Sequence, residues 1–398
     1  MKKLASLFAV FLLIPLFTVA SESGDRDIPA EVAHLTDSLK KQFAPDRRVA
    51  LLDIDYSFSD KNVMLRGVTT SAEAKNVLLK ELARKGYTVM DCLELLPDVK
   101  GLEGKTCGII NVSVANMRVA PDFSSEMMTQ SLMGMPVRVL QRDGWVRIQT
   151  PDNYIAWVHR VGVHPVTEEE MAAWNKAEKI VVTAHYGFVY SEPNQTSQTV
   201  SDVVAGNRLK WEGSKGAFYK VTYPDGRRGY ISKSIAMPEK KWRSGLQQDA
   251  AGIIRTAHTM IPYLWAGTSS KGVDCSGFMR TILFMHDIII PRDASQQAYV
   301  GEHIDIAADF SNLQPGDLIF FGRKATPERK ERVVHVGMYI GGKRFIHSQG
   351  DVHISSFGPA DELFDEYNLG RLLFATHVLP YINKEAGLNT TETNEYYK

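Results

Sequence analysis

The chain has 398 residues, with 46 lysines and arginines against 46 aspartates and glutamates. The charge is balanced and no stretch of lysine and arginine forms a basic stripe, which argues against nucleic acid or an anionic membrane surface as a partner. The length exceeds what one hydrophobic core normally organises, so several domains are expected.

The first twenty residues have the pattern of a secretory signal peptide. Lys2 and Lys3 make a basic start, residues 4–19 are almost uninterruptedly apolar, and Ala20 precedes a polar stretch. The run is short for a membrane span, no cysteine follows it as a lipid attachment point, and no other stretch reaches membrane length. We therefore expect residues 1–20 to be removed and the mature protein, without a membrane span, to be exported to the periplasm or envelope of a bacterium.

Residues 21–108 are expected to form a small α/β domain that carries no evident chemistry. Apolar residues spaced by three and four predict a helix over residues 30–43. A second helix is predicted over residues 71–85, with Ser71 as its N-cap and Gly86 as its stop. Strands are predicted at residues 49–54, 63–68 and 87–89.

Two β-rich segments follow, at residues 109–166 and 167–238, and the second repeats the plan of the first. Short strands alternate with turns, including those at residues 151–153 and 224–226. Regularly spaced short strands with such turns predict a small barrel in each segment. The similarity between the two indicates an internal repeat.

Residues 239–398 hold helices first and strands later, which predicts an α+β domain. The polar tail from residue 384 onward shows no apolar periodicity and is expected to be frayed. The predicted helices cover residues 249–259 and 275–286, and the predicted strands cover residues 318–321, 333–340 and 344–348.

Cys275 lies in the run Asp-Cys-Ser-Gly-Phe at residues 274–278, after a loop of small residues and at the start of an apolar stretch. A thiol at a helix start lies at the positive end of the helix dipole, beside unpaired backbone N–H groups, and both favour the nucleophilic thiolate. Cys92 and Cys107 are close enough in sequence to pair, and a disulfide and two free thiols stay equally open. Cys275 is the unpaired cysteine in either case.

His335 and His347 supply a candidate base and a group to orient it. Each histidine lies in a β-like run, and the Gly-Gly-Lys sequence at residues 341–343 is a hairpin turn signal. On antiparallel strands the two side chains can share a face, so we predict a catalytic triad with Cys275. An inert buried cysteine and structural histidines are the alternative for each residue taken alone. A zinc site needs a fourth ligand and tighter local spacing, so no metal is expected.

Five motifs of the C-terminal segment resemble those of NlpC/p60 cysteine peptidases, cell-wall endopeptidases with a papain-like core. The β-rich segments resemble bacterial SH3-like domains. The resemblance implies an α+β fold in which two SH3-like barrels and the N-terminal α/β domain precede a papain-like domain at residues 239–398. The motifs are Tyr-Leu-Trp-Ala-Gly at 263–267, Asp-Cys-Ser-Gly-Phe at 274–278, Pro-Arg-Asp-Ala-Ser-Gln-Gln at 291–297, Gln-Pro-Gly-Asp-Leu at 314–318, and His-Val-Gly at 335–337 with His347.

The resemblance assigns a role to each residue of the triad. Cys275 would be the nucleophile and His335 the general base, while His347 stands where relatives carry His, Asn or Gln. Tyr263 resembles the tyrosine that lines the pocket beside the nucleophile. Neither a metal nor an organic cofactor is implied.

The combination of domains resembles the subgroup that trims murein peptides, cutting between γ-D-glutamate and a diamino acid and requiring a free L-alanine amine. A buried ammonium group needs a carboxylate, and Asp274 is the nearest candidate. Ser276 is expected to donate to the peptide. Asp293 and Ser295 are expected at the rim, although Ala294 stands where relatives often have a hydroxyl residue.

In that subgroup the first SH3-like domain caps the cleft, and Glu126 and Tyr154 are the expected contributors here. A solvated loop charge is the alternative for Glu126. Two other functions stay open, namely an amidase or acyltransferase built on the same core and a non-catalytic wall-binding protein. The complete set of triad residues argues against the wall-binding protein.

Overall fold

The structure is a computed structural model that describes residues 28–257 and 261–398. The predicted signal peptide and the end of the helix predicted over residues 249–259 lie outside the described residues. Four units follow one another along the chain: an α/β domain, two β-barrels and an α+β domain. None of the helices in the described part of the chain combines the length and the apolar composition that a membrane crossing needs.

The first unit is a three-stranded sheet packed against two helices, with β1 antiparallel and β3 parallel to the central β2. Both predicted helices are confirmed, and the Ser71 side chain accepts from Ala74 N at 3.0 Å at the start of the second. The strand predicted at residues 49–54 starts later, because Val49 and Ala50 donate to Asp46 O in a turn. The elements are α1 (Ala30–Phe43), β1 (Leu52–Ser59), β2 (Asn62–Thr69), α2 (Ala72–Arg84) and β3 (Thr88–Leu95).

The first barrel is a seven-stranded sheet in the order β10-β4-β7-β8-β9-β5-β6. Alternate residues of its strands, among them Val137, Val139, Val146 and Ile148, fill the interior. The predicted division after residue 108 falls within the first of these strands. The strands are β4 (Cys107–Ile110), β5 (Val114–Arg118), β6 (Met127–Leu132), β7 (Pro136–Asp143), β8 (Trp145–Gln149), β9 (Ile155–His159) and β10 (Val163–Val166).

The second barrel repeats the first strand for strand, in the order β17-β11-β14-β15-β16-β12-β13. The helix α3 (Glu168–Lys176) connects the two barrels. The same order of equivalent strands in both sheets is the structural counterpart of the predicted repeat. The strands are β11 (Lys179–Val182), β12 (Tyr186–Tyr190), β13 (Thr199–Val204), β14 (Arg208–Lys215), β15 (Phe218–Thr222), β16 (Arg228–Ser232) and β17 (Ala236–Pro238).

The last unit has a six-stranded antiparallel sheet in the order β20-β25-β21-β22-β23-β24, and α6 packs against it. Phe278 and Met279 of α6 meet Phe320, Val336 and Met338 in its core. The elements are α4 (Glu239–Ser244), α5 (Ala250–Thr256), β18 (Thr268–Ser269), β19 (Gly272–Val273), α6 (Cys275–Phe284), α7 (Ala294–Gln297), β20 (Glu302–Ile304), β21 (Leu318–Arg323), β22 (Arg332–Gly341), β23 (Arg344–Gln349), β24 (Asp351–Ser356), α8 (Glu366–Gly370) and β25 (Leu372–His377).

The C-terminal tail is packed, so the prediction that it is frayed is wrong. Leu388 is fully buried, and Asn394 Nδ2 donates to Pro151 O of the first barrel at 2.9 Å. Asn175 of α3 donates to Tyr396 O at 2.9 Å. The tail lacks apolar periodicity because it lies in a seam between domains, where polar groups pair with other segments.

The first barrel contacts both of its larger neighbours. Leu51 and Leu96 of the α/β domain form an apolar cluster with Leu140 and Ile155 of the barrel. On the other side, the side-chain oxygen of Gln130 in the barrel accepts from Thr268 N at 2.9 Å. The backbone carbonyl of Gln130 accepts from the Thr268 hydroxyl at 3.0 Å. The α/β domain, the first barrel and the α+β domain therefore surround a common space.

Candidate active site

Cys275 is the first residue of α6, and Asp274 caps that helix. The Asp274 carboxylate accepts from Gly277 N at 2.7 Å through one oxygen and from Ala266 N at 3.0 Å through the other. A Cβ atom at Gly277 would lie 1.9 Å from Gly267 O, so only glycine permits this close approach. The loop of small residues thus folds back on the helix start and places Cys275 at the surface of a cleft.

Arg292 holds the capping carboxylate from the other side. Its guanidinium is 1% exposed and pairs with Asp274 through two contacts, of 2.6 and 3.2 Å. Arg292 also donates to Ser276 Oγ at 2.9 Å. Both oxygens of Asp274 are therefore engaged, and its role in receiving a substrate ammonium stays a prediction. The Ser276 hydroxyl belongs to the same buried network.

The Cys275 thiol is free, as are those of Cys92 and Cys107. Burial raises the pKa of Cys275 to about 11, the charge of Asp274 adds to the effect, and the backbone N–H groups of Val336 and Ser276 oppose it. The N–H group of Ser276 at the helix start favours the thiolate, as predicted, whereas burial favours the thiol and has the larger effect on the pKa. The contact with Val336 N–H places the sulfur beside the strand that carries His335.

His335 and His347 form a buried pair on adjacent strands, with Nε2 of His335 2.8 Å from Nδ1 of His347. The register pairs Gly337 with His347, so His335 is the diagonal neighbour of His347 on the same face of the sheet. Burial lowers the pKa of His335 well below 6.5, and burial together with the charge of His353 lowers the pKa of His347 to about 3. Both rings are neutral at neutral pH, and Nδ1 of His335 is the nitrogen left to serve the thiol.

Ser355 lies behind this pair, with its Oγ 3.1 Å from Nε2 of His347. Ser355 was not predicted as a site residue, because a serine in a strand carries no distinctive signal. No group of three or more histidine, cysteine or acidic side chains in the described parts of the chain is arranged to hold a metal ion.

Cys275 opens into a cleft of about 890 Å³ that is continuous with solvent. The first barrel, the α/β domain and the α+β domain all contribute to its walls. Tyr263, His335 and His347 lie outside its lining, and the other seven predicted site residues line it. Its lining includes Arg48, Glu126, Tyr154, Trp265, Ala266, Asp274, Cys275, Ser276, Arg292, Asp293, Ala294 and Ser295.

One wall of the cleft is organised around Asp293. The Tyr154 hydroxyl donates to Asp293 Oδ2 at 3.1 Å, and Arg48 Nη1 donates to the same oxygen at 2.8 Å and to Ser295 Oγ at 3.1 Å. Asp46 holds the guanidinium of Arg48 through contacts of 2.7 and 2.8 Å. Arg48 was not predicted, since nothing in the sequence around it points to a cleft about 240 residues further along the chain.

Glu126 and Trp265 also line the cleft. Glu126 is exposed and its Oε1 accepts from Trp265 Nε1 at 3.1 Å, which connects the first barrel to the loop before α6. Tyr263 lies close to the nucleophile, and burial followed by the charges of Cys275 and Asp274 raises the pKa of its phenol to about 12. Tyr263 therefore stays protonated and is a hydrogen-bond donor at neutral pH.

Three segments of the chain match known families. Residues 260–369 match the NlpC/P60 family, residues 117–161 a bacterial dipeptidyl-peptidase Sh3 domain, and residues 185–235 a bacterial SH3 domain. A gamma-D-glutamyl-L-lysine dipeptidyl-peptidase from Bacillus cereus is 32% identical over 236 residues, which cover 56% of this chain and 68% of that protein. The chain belongs to the NlpC/P60 family.

Other NlpC/P60 relatives agree with this assignment. A gamma-D-glutamyl-L-lysine dipeptidyl-peptidase from Bacillus subtilis is 29% identical over 55% of this chain and 71% of its own length. Dipeptidyl-peptidase 6 from Lysinibacillus sphaericus is 25% identical over 64% of this chain and 93% of its own length. The crystal structure of an NlpC/P60 family protein from Bacillus cereus matches with a TM-score of 0.58 at 26% identity, covering 69% of this chain and all of that one.

The predicted α+β fold, with two SH3 domains before an NlpC/P60 domain, is confirmed. The protein is an NlpC/P60 cysteine peptidase that hydrolyses peptidoglycan peptides. The roles assigned to the individual site residues stay predictions, and the geometry above shows which of them lie together.

Proposed function

We propose that this peptidase cleaves the bond between γ-D-glutamate and a diamino acid in murein peptides that carry a free N-terminal L-alanine. The observation that carries the proposal is the cleft beside Cys275, which Glu126 of the first barrel and Asp293 of the peptidase domain both line. The Bacillus relatives, which are named gamma-D-glutamyl-L-lysine dipeptidyl-peptidases, support cleavage of the same bond.

Recognition of a free amine follows from the charges in the cleft. An ammonium group that leaves water needs a carboxylate within hydrogen-bond reach. Asp274 is paired with Arg292, and Asp293 already accepts from Arg48 and Tyr154 through Oδ2. Glu126 keeps the more available negative charge, since its recorded partner is a neutral indole N–H. We assign the ammonium to Glu126, with Asp293 as the second acidic group.

The contribution of the first barrel to the cleft accounts for cleavage after a dipeptide. Glu126 and Tyr154 both belong to the first barrel, so this domain forms the wall that the peptide N-terminus meets. A peptide held there by its ammonium group would place its second residue, γ-linked D-glutamate, at Cys275. The enzyme would accordingly trim short peptides from their amino end.

In the proposed mechanism, Cys275 Sγ attacks the γ-glutamyl carbonyl carbon while its proton passes to Nδ1 of His335. The oxyanion of the tetrahedral intermediate faces the backbone N–H groups at the start of α6 and the phenol of Tyr263. Protonated His335 gives the proton to the amine of the departing diamino acid, which leaves a thioester. Water deprotonated by His335 then attacks the thioester, releases L-Ala-γ-D-Glu and returns the proton to sulfur.

The compartment is part of the proposal. The basic start at Lys2 and Lys3, followed by an apolar run ending near Ala20, supports export to the periplasm or envelope. Murein peptides are present in that compartment, and no other macromolecular partner is required for the reaction.

The direct test incubates the purified chain with L-Ala-γ-D-Glu-diaminopimelate and analyses the products by mass. We expect L-Ala-γ-D-Glu and free diaminopimelate, and no product from Cys275→Ser. Acetylating the peptide amine removes its charge and should lower kcat/KM at least tenfold, because a charge-assisted hydrogen bond contributes about 1.5–3 kcal/mol. Equal rates on free and acetylated peptides would contradict the proposed specificity for a free amine.

A matched pair of variants locates the amine site. Glu126→Gln should raise KM for the free peptide about tenfold and leave the poor rate on the acetylated peptide unchanged. Glu192→Gln is the control, since Glu192 is exposed in the equivalent hairpin of the second barrel, between β12 and β13. If both variants behaved alike, the ammonium would have to bind elsewhere.

A further inference from the structure

Three polar residues step diagonally across three adjacent strands of the peptidase sheet. His335 is on β22, His347 on β23 and Ser355 on β24. Gly337 pairs with His347 on one side, and His353 pairs with His347 on the other. His335 lies two positions before Gly337, and Ser355 lies two positions after His353. This register places them in a row on one face. Their atoms are joined by contacts of 2.8 and 3.1 Å.

A carboxylate stands at the far end of this row. Ser355 is 5% exposed, and its hydroxyl acts on the carboxylate of Asp365, the N-cap of α8, as a hydrogen-bonding neighbour that lowers its pKa. Asp365 N donates to Ser356 O at 2.9 Å, which holds the helix start against the end of β24. Burial by itself raises the pKa of Asp365. Hydrogen bonds from Asn368 and Ser355, together with the charge that His347 carries when protonated, have the larger effect and lower the pKa. Asp365 is therefore ionised and can only accept hydrogen bonds.

His347 alone does not determine the direction of the hydrogen bonds in the row. A neutral imidazole carries its proton on either nitrogen. If His347 carried the proton on Nδ1, it would donate to Nε2 of His335, and His335 would carry its own proton on Nδ1. That nitrogen could not then accept the thiol proton of Cys275, so the enzyme needs the opposite arrangement.

We propose that Ser355 and Asp365 are positioning residues that set the tautomers of both catalytic histidines. Because Asp365 only accepts, the Ser355 hydroxyl donates to it, and the serine oxygen accepts from Nε2–H of His347. Nδ1 of His347 is then bare and accepts from Nε2–H of His335. Nδ1 of His335 is then unprotonated and can accept the proton of the Cys275 thiol. The inference rests on the thiol–imidazole step proposed above and applies to any peptide that the enzyme cleaves.

Other charged or titratable groups also surround His347. The ring of His353 lies 4.4 Å from that of His347, and its Nδ1 is 2.8 Å from Asp351 Oδ1. Arg371, after α8, also acts on the pKa of His347. The variants below leave these groups unchanged, so the differences between variants report on the row itself.

Ser355→Ala removes the acceptor for Nε2–H of His347. We expect kcat to fall at least tenfold with KM unchanged, because part of the enzyme adopts the incompetent tautomers. Ser356→Ala is the matched control, since this fully buried serine is next in the same strand and its hydroxyl accepts from Gly358 N at 3.1 Å. Its kcat should stay within twofold of the parent, and Ser355→Thr, which keeps the hydroxyl, should retain most activity.

A double-mutant cycle separates tautomer control from a structural role. His347→Asn presents an amide oxygen that accepts without tautomers. In that background Ser355→Ala should change kcat less than twofold, although it costs at least tenfold in the parent. An equal loss in both backgrounds would overturn the inference.

Imidazole ¹⁵N chemical shifts provide a readout that does not depend on activity. In the parent enzyme both His335 and His347 should carry the proton on Nε2, and Ser355→Ala should show a mixture for His347. Unchanged tautomers in Ser355→Ala would refute the inference, even if His347→Asn were inactive. Inactivity of the parent on γ-D-glutamyl peptides would count against the proposed substrate alone, because the spectra need no substrate.

Discussion

Cys275, His335 and His347 are 9%, 6% and 0% exposed, and this burial determines their protonation. Low solvent access disfavours the charged form of each group, so the thiol is protonated and both imidazoles are neutral at rest. The enzyme therefore starts from a neutral pair, and proton transfer from sulfur to nitrogen accompanies the attack on substrate.

Alkylation by iodoacetamide should reveal the raised pKa of Cys275. Below its pKa the reactive thiolate fraction increases about tenfold per pH unit, so the alkylation rate of Cys275 should rise steadily from pH 6 to pH 9. Peptide mass mapping measures the alkylation rate of Cys275, with exposed Cys92 on β3 as an internal reference in the same sample. A rate that is constant between pH 6 and pH 8 would indicate a preformed thiolate–imidazolium pair instead.

The buried histidines should make stability depend on pH. The pKa of folded His347, about 3, lies below the unfolded value of about 6.5, so the unfolded chain binds the extra proton between these values. Stability is therefore full above pH 6.5 and falls by about 1.4 kcal/mol per pH unit below it for this histidine. Urea unfolding from pH 7 to pH 5 measures the slope, which His347→Gln should reduce. An identical slope in that variant would contradict the assignment.

At the scale of elements, the start of α6 depends on a buried ion pair. Arg292 and Asp274 are both nearly inaccessible, and Asp274 also caps the helix that presents Cys275. Charges taken out of water are tolerated when each has a partner, and removing one partner leaves the other unpaired. The strand pairing of the two histidines is equally dependent on the register of β22 and β23.

Arg292→Met should destabilise the protein by about 3–5 kcal/mol, because Asp274 loses its counter-charge in a buried site. The double variant Arg292→Met/Asp274→Asn should recover part of this loss, since no unpaired charge remains. Urea unfolding checks both variants, with Arg84→Met as control: Arg84 is 67% exposed in its pair with Glu81, and its loss should leave stability almost unchanged. A double variant no more stable than the single one would show that charge is not the cause.

At the scale of the whole molecule, the cleft exists only because three units meet. The α/β domain supplies Arg48, the first barrel supplies Glu126 and Tyr154, and the peptidase domain supplies the nucleophile. The apolar cluster of Leu51, Leu96, Leu140 and Ile155 holds the α/β domain on the barrel. The α/β domain is thereby connected to the active site through Arg48.

Arg48→Met should raise KM for the free-amine peptide several-fold with little change in kcat. Asp293 and Ser295 lose the donor that orients them, whereas the triad is untouched. The stability loss should stay below about 1 kcal/mol, because Arg48 and Asp293 are each 28% exposed. The neighbouring exposed Arg47→Met is the control in steady-state kinetics. Equal KM values for the two variants would exclude a role for Arg48 in the cleft.

Local patterns in the sequence were sufficient for two helices of the α/β domain and for the hairpin that carries both histidines of the triad. Apolar periodicity and a capping serine predicted the helices found at Ala30–Phe43 and Ala72–Arg84. The glycine turn predicted the hairpin that brings His335 and His347 onto one face. These features depend on residues a few positions apart, and the family motifs around Cys275 are of the same kind.

Only the tertiary structure decided what these residues meet and how they are charged. Arg48 reaches Asp293 across about 240 positions of sequence, and the row from His335 to Ser355 depends on the register of three strands. The resting thiol of Cys275 follows from burial by distant segments, which no local pattern encodes. A motif determines which groups are present, whereas desolvation and long-range pairing determine their partners and protonation.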